Sequence, residues 1–416
     1  MQLLDVFRSR RVLVIVLLGF SSGLPLLLTG QVLGAWMTAV GVDLTTIGAF
    51  SLVGLPYTFK WLWAPLVDRY RLPLLGRRRG WLLATQLALM VAIAVMGSLD
   101  PRAAPAVLAV TAVAVALLSA TQDVVVDAFN ADTLRTEERA AGSAMYVTGY
   151  RGAMLVTGTV ALALADVLPW SVVYVGLAAM MSVGVVGTLL AREPPSPPTR
   201  PATVAEAVWR PVALLLRQPR IAVVVAFVPL YKVGDQFAQL MAIPFLKKGL
   251  GFSFAEIATL YNIVGFTGTL AGALVGGGLV ARHGVRRALL PLGIAQTATN
   301  LAWVGLSVHA PSLPLLAGAV AVDNLANAMG TSAFVAYLMS RCDRAVSATQ
   351  LAVLTSLSTV LSRLGGAAAG ATAASVGWPA FWLATLAVAI PGLLLVPHLP
   401  YEEEAAPATA PEQPPR

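Results

Sequence analysis

A single cysteine, Cys342, stands in 416 residues, which excludes an intrachain disulfide and any cysteine-based metal cluster. Three scattered histidines, His283, His309 and His398, offer no metal-ligand spacing. Charge is scarce too. Asp, Glu, Lys and Arg make up 12% of the chain, against about 25% in soluble domains. Hydrophobic residues make up 57%, and the mean hydropathy is +0.78. That balance excludes a soluble globule, and nothing resembles a nucleic-acid-binding module. The formal net charge of +8 therefore bears on membrane topology and lipid contact.

What is present is a recurrence of apolar runs about 20 residues long, the length one helix needs to cross a bilayer. The runs predict an all-α polytopic membrane protein with twelve transmembrane helices. The expected spans are 12–35, 44–64, 80–98, 104–128, 141–164, 170–190, 221–245, 254–280, 288–307, 313–338, 346–372 and 378–396. The start, "MQLLDVFRSRRVLVIVLLGF", is basic then apolar like a signal peptide, but no small-x-small cleavage site closely follows, so it reads as an uncleaved first span. Twelve spans put both termini on one side. That side then holds 21 arginines and the other only Arg102, Lys247 and Lys248, an asymmetry that predicts cytoplasmic termini.

The longest polar interruption, 192–220, is Pro-rich at first and then reads as a short amphipathic helix in "TVAEAVWRPVALLLR". It divides the chain into an N-terminal six-helix half (1–191), a cytoplasmic linker (192–220) and a C-terminal six-helix half (221–396), followed by a disordered acidic, Pro-rich cytoplasmic tail (397–416). The halves are weakly similar. "GVDLTTIGAFSLVG" at 41–54 parallels "GFSFAEIATLYNIVG" at 251–265, and "LVDRYRLPLLGRRRG" parallels "LVARHGVRRA". Two six-span repeats predict the major facilitator fold, whose site lies between the halves at mid-membrane.

Apart from Glu256 in the first turn of span eight, eight charges fall inside the expected spans: Lys60, Asp123, Asp127, Arg151, Lys232, Asp235, Asp323 and Arg363. Left unpaired at the bilayer centre, each costs about 2.5–3.5 kcal/mol, and eight such costs exceed the roughly 5–15 kcal/mol that keeps a protein folded. They must pair, line a wet cavity or sit near the interface. Asp123, Asp127 and Asn130 share one helical face beside Gln122; Lys232, Asp235, Gln236 and Gln239 share another; Asp323, Asn324 and Asn327 begin a third. Arg151 and Arg363 lie in spans five and eleven, equivalent members of the two repeats. The competing reading is a set of structural ion pairs, with Lys232–Asp235 a self-satisfied i, i+3 bridge and Asp127 in cytoplasmic water. The acids suit proton coupling: Asp123 is expected to carry the proton, Asp127 to be its weaker neighbour, and Arg151 to hold an anionic group of the cargo or, without cargo, the Asp123 carboxylate.

"DRYRLPLLGRRR" is expected to form a cytoplasmic gate loop containing Asp68, Arg69 and Arg77, with Arg282 at the matching place in the second half, where Ala281 replaces the acid. Gly268, Gly272 and Gly276 form a stripe suited to close helix packing, and Gly23 with Pro25 can break span one and free backbone groups.

The motifs "GFSSGLPLLLTG", "GLPYTFKWLWAPLVDRY", "GRRRGW", "SATQDVVVDAF", "ERAAGSAMYVTGYRGAML" and "GTSAFVAYLMSRC" together resemble the AmpG-type muropeptide permeases of Gram-negative bacteria, over residues 5–396. The resemblance implies import of N-acetylglucosamine-1,6-anhydro-N-acetylmuramic acid, with or without its peptide, across the inner membrane for peptidoglycan recycling, a traffic that feeds β-lactamase induction where the regulator exists. It also implies functional weight for Gly23, Ala120, Gln122 and Asp123. The six residues between Arg69 and Gly76 depart from the superfamily pattern, where one is usual. No cofactor or metal is expected; the proton is the coupling ion, and a monomer in the lipid bilayer is the working unit. Two other readings stay open. One is the same fold carrying another anion such as acetyl-CoA, which should demand more cavity cations. The other is an intramembrane aspartyl protease, whose Tyr-Asp and Gly-x-Gly-Asp motifs are absent.

Overall fold

The computed structural model describes residues 10–64, 67, 70, 72, 75–134, 139–194, 204–342 and 347–401, and every regular element among them is helical. Among the described residues ten helices are long and apolar enough to cross a membrane, from Leu13–Ala39 to Trp378–His398. The two remaining spans are interrupted helices. Span two runs from Leu44 to Leu62 with 3₁₀ turns at Phe50–Gly54 and Lys60–Leu62. Pro56 explains the first, since its ring removes the N–H that an α-turn would bond there. Span nine breaks at Thr299, between Val285–Ala298 and Asn300–Val308. The Thr299 hydroxyl lies 2.7 Å from the Gln296 carbonyl and 2.8 Å from Asp323 Oδ1, so it competes with the helix ladder.

The repeat is visible in the backbone. Gly41 (φ +82°) and Gly251 (φ +76°) turn the chain into spans two and eight, and Gly76 (φ +105°) and Gly284 (φ +77°) into spans three and nine. Only glycine takes these angles without strain. Asp43 then caps span two by accepting from the Thr46 hydroxyl at 2.6 Å and from Thr46 N at 2.8 Å, and those bonds hold its carboxyl below the usual range. Ser253 caps span eight through a capping box with Glu256. Spans one and seven each carry a π-turn, at Leu28–Val32 and Phe245–Gly249. In span one the Thr29 hydroxyl donates to the Pro25 carbonyl at 3.1 Å, beside the π-turn.

Small residues set which spans touch. Spans one and five meet main chain to main chain where Gly19 faces Tyr146, Gly23 faces Tyr150 and Gly149 faces Val16. Gly268, Gly272 and Gly276 lie against Ala321, Leu325 and Met329 of span ten, the close packing that the stripe predicts. Between the halves, span two meets span eleven at Gly48 and Gly366 and at Leu44 and Gly370. In the linker a helix covers Val204–Leu216, and its Pro211 carbonyl accepts from Gln350 Nε2 at 3.0 Å. The tail expected to be disordered from 397 is structured at first, because Val396–His398 form a 3₁₀ turn, Leu399 is buried and the Tyr401 ring packs on Tyr337. Its remainder from residue 402, the stretch 195–203, Asp68 and Arg69 lie outside the described residues.

Candidate functional site

The two halves are latched at the end away from the chain termini. Asp166, in the loop before span six, accepts from Phe254 N (3.2 Å) and Ala255 N (2.7 Å), the first amides of span eight. Those amides form the positive end of the helix dipole, where a carboxylate is favoured. Lys247 stands 3.9 Å from the same carboxylate, and Lys248 Nζ donates to the Val42 carbonyl. All of these contacts join one half to the other. Below them the halves diverge around cavities that reach Ala64, Ala128, Ala352 and Met339 toward the terminus-bearing face.

Three cavities are connected through shared walls. One of about 390 Å³ lies between spans one, two, seven and eleven and is lined by Gln31, Tyr57, Gln236, Gln239, Ser362 and Arg363. A second, about 740 Å³, lies between spans one, five, eight and ten and includes Arg151, Asn262, Asp323, Asn324, Asn327 and Thr331. Leu27, Gln31, Gln239 and Tyr261 belong to both, so the two are wings of one central space. Between them Gln31 Nε2 donates to Asn262 Oδ1 at 2.8 Å, and Asn262 Nδ2 to the Gly158 carbonyl at 2.7 Å, joining spans one, eight and five. The third, about 430 Å³, is a vestibule lined by Lys60, Asp127, Tyr57, Thr359 and Arg363.

The intramembrane charges divide into three groups. Lys60 stands 3.9 Å from Asp123 and 3.7 Å from Asp127, one base serving two acids. The Asp123 side chain is 8% exposed and that of Asp127 is 58% exposed. Asp127 therefore reaches the wet vestibule, and Asp123 lies one turn deeper. Lys232 and Asp235 are both buried and 3.5 Å apart; Lys232 Nζ also donates to Gln296 Oε1 (3.2 Å) and Thr331 Oγ1 (2.9 Å), while Gln296 Nε2 donates to Asp235. That network satisfies itself, as the i, i+3 bridge reading has it. Arg151, Asp323 and Arg363 make up the third group. None of them has an opposite charge within ion-pair distance among the described residues, and all three line the central space.

The sequence-marked residues separate accordingly. Arg151, Gln236, Gln239, Asn324 and Asn327 come together on the cavity walls. Gly23, Ala120 and Gln122, expected at the substrate, lie in helix packing instead. Gly23 faces the Tyr150 main chain, Ala120 is fully buried, and Gln122 donates to Ser21 Oγ at 3.1 Å. Their small or hydrogen-bonded side chains let spans one, four and five approach closely. Asp235 reaches only a recess of about 10 Å³. Without cargo the cation beside Asp123 is Lys60, not Arg151, because the kinked span two brings Lys60 onto the acid face of span four while Arg151 faces the other wing. Of the expected gate residues, Arg77 is held within its own half, with Nη2 2.8 Å from Asp132 Oδ2, and Arg282 is exposed. Asp132, Glu193 and Asp166 went unmarked in the sequence. Glu193 accepts from Arg78 N (2.8 Å) and Arg79 N (3.0 Å) at the start of span three. An acid just before a predicted span start was the available signal for Asp166.

A model of the Major Facilitator Superfamily matches residues 13–233 and again 232–415. The chain is 45% identical over 396 residues to the anhydromuropeptide permease of Escherichia coli (strain K12), covering 95% of this chain and 81% of that protein. The chain belongs to the major facilitator superfamily, among the AmpG-type permeases. A putative transporter, AmpG 4 of Rickettsia felis, is 30% identical, with 96% of this chain and 99% of the relative covered. Among solved structures, the nucleoside transporter NupG superposes with a TM-score of 0.72 at 14% identity (93% and 98% covered). The inward-open xylose transporter XylE from E. coli superposes with 0.68 at 11% (95% and 97%). At such identities these two speak for the fold alone. The permease is thus a multi-pass membrane transporter and not a protease.

Proposed function

We infer that the permease imports N-acetylglucosamine-1,6-anhydro-N-acetylmuramic acid, with or without its peptide, across the bacterial inner membrane for peptidoglycan recycling. It does so as a proton symporter with alternating access, with both termini cytoplasmic. The 45% identical anhydromuropeptide permease supports the cargo, and the arginine-rich terminus-bearing side supports the orientation. The observation that carries the reading is Arg151. It is exposed into a 740 Å³ wing and has no carboxylate within ion-pair distance among the described residues. A charge kept in that state suits an anionic cargo, and the wing falls within the roughly 300–1,000 Å³ typical of small-molecule sites. Both halves of one chain complete the walls, which favours a monomer. Acetyl-CoA, with more anionic groups, fits less well, because among the described residues only Arg151 and Arg363 are unpaired cations in the central space.

The test is uptake of labelled anhydro-disaccharide into energised vesicles. An anionic cargo moving with one proton carries no net charge, so the proton gradient itself drives it, about tenfold accumulation per pH unit; each further proton adds about 2.3 kcal/mol per 100 mV. A protonophore should abolish that accumulation; if concentrative uptake survives it, proton coupling is wrong. Arg151→Lys keeps the charge and loses the planar fork that binds a carboxylate through two bonds. One charge-assisted hydrogen bond contributes about 1.5 kcal/mol, so KM should rise about tenfold with kcat little changed. An unchanged KM in transport kinetics would remove Arg151 from the site.

A further inference from the structure

Arg363 has no part in that mechanism, yet it occupies the junction between the central space and the vestibule, lining both. Its guanidinium crosses from span eleven to span two and lies flat on Gly54, where any Cβ would overlap it. Nη1 makes one long contact, 3.4 Å from the Ser51 carbonyl, and Nη2 makes no hydrogen bond among the described residues. Nε is buried with no partner, and so is the hydroxyl of Tyr57, which lines the same two cavities. A glycine that admits a guanidinium, a phenol beside it and unfilled donors are the parts of an anion site. An unpaired guanidinium at this depth costs free energy, and a carboxylate delivered by the cargo would offset it.

The two unpaired arginines stand in different wings, Arg151 in the larger and Arg363 in the smaller, joined through Leu27, Gln31, Gln239 and Tyr261. The chemistry of the cargo separates in the same way. A peptide-free anhydro-disaccharide carries its carboxylate on the muramyl lactate, next to the sugar. Once a peptide is attached, that carboxylate becomes an amide and the negative charge moves out along the peptide. We propose that Arg363, with Tyr57, is a second anion subsite that binds a carboxylate of the peptide, while Arg151 serves the sugar end. The smaller wing thereby sets the preference for peptide-bearing over peptide-free cargo. This rests on the muropeptide reading given under Proposed function.

The experiment measures KM for peptide-free anhydro-disaccharide and for the same sugar bearing a tripeptide, in vesicles containing the full chain. Arg363→Gln should raise the ratio of KM(peptide-bearing) to KM(peptide-free) about tenfold, the loss of one charge-assisted hydrogen bond. Tyr57→Phe should raise it less, and Arg151→Gln should not raise it. A ratio unchanged in Arg363→Gln, or one raised equally by Arg151→Gln, overturns the subsite and leaves the muropeptide reading intact. If Arg363→Gln fails to insert, Tyr57→Phe and Arg363→Lys decide on the same ratio, and no change in either overturns it. Wild-type protein that carries neither sugar overturns both readings.

Discussion

Asp123→Asn should cut concentrative uptake at least tenfold while exchange of labelled cargo between equal pools continues. Lys60 faces two carboxylates, Asp123 at 3.9 Å and Asp127 at 3.7 Å. With both acids ionised the trio carries one net negative charge, and a single proton brings it to neutrality. Protons on such a cluster belong to the group rather than to one residue, but burial separates the two acids. Asp123 Oδ1 is buried with no hydrogen bond, whereas the Asp127 side chain is 58% exposed to the vestibule, where water solvates its charge. Asp123→Asn fixes the neutral form at nearly the same volume. The carrier should then cycle with cargo but without the proton, which is exchange without accumulation. Asp127→Asn leaves a one-to-one pair of Lys60 with Asp123 and should cost several-fold less. Normal accumulation in Asp123→Asn vesicles, at matched protein levels, would remove the trio from coupling.

The fold was legible because its determinants are local. Apolar runs of bilayer length mark the spans, and the repeat shows at Gly41 and Gly251, where the same turn needs the same residue. The break in span nine was not legible, since Thr299 bonds Asp323 on another helix, whereas that in span two follows from Pro56, which the sequence displays. The site divides the same way. Lys232–Asp235 was readable as an i, i+3 bridge because both partners ride on one helix. The cation beside Asp123 was not, because the choice between Lys60 and Arg151 depends on which face of span four each neighbouring span meets. Gly23 and Ala120 were marked by family motif, and the structure gives each a packing reason instead. The role of Asp166 is not legible in the sequence because its partners, the amides of Phe254 and Ala255, become neighbours only when the halves close.

That closure yields the second large effect. Gly366→Leu should lower uptake at least tenfold with the protein still inserted. At Gly366 a Cβ would overlap Ser51 Oγ and the Gly48 carbonyl, and at Gly48 it would overlap the Gly366 carbonyl, so spans two and eleven touch main chain to main chain. Ser51 Oγ donates to the Arg363 carbonyl at 2.7 Å beside that contact. The contact belongs to the state latched by Asp166, in which the cavities open toward the termini. A leucine wedge costs that state about 1–3 kcal/mol of overpacking. The opposite state, in which the latched ends part, is relieved of it. Two conformations separated by a few kcal/mol then shift by about thirtyfold for 2 kcal/mol, and the carrier dwells with its far side open. The shift can be read directly in a Cys342→Ser background carrying Gly34→Cys, a position on the wall of the 390 Å³ wing. Alkylation from the face opposite the termini should become faster in Gly366→Leu than in the parent, with Gly366→Ala intermediate. Slower or unchanged alkylation alongside lost uptake would mean that the wedge breaks the helix pair rather than the balance of states, and the latch would not control access.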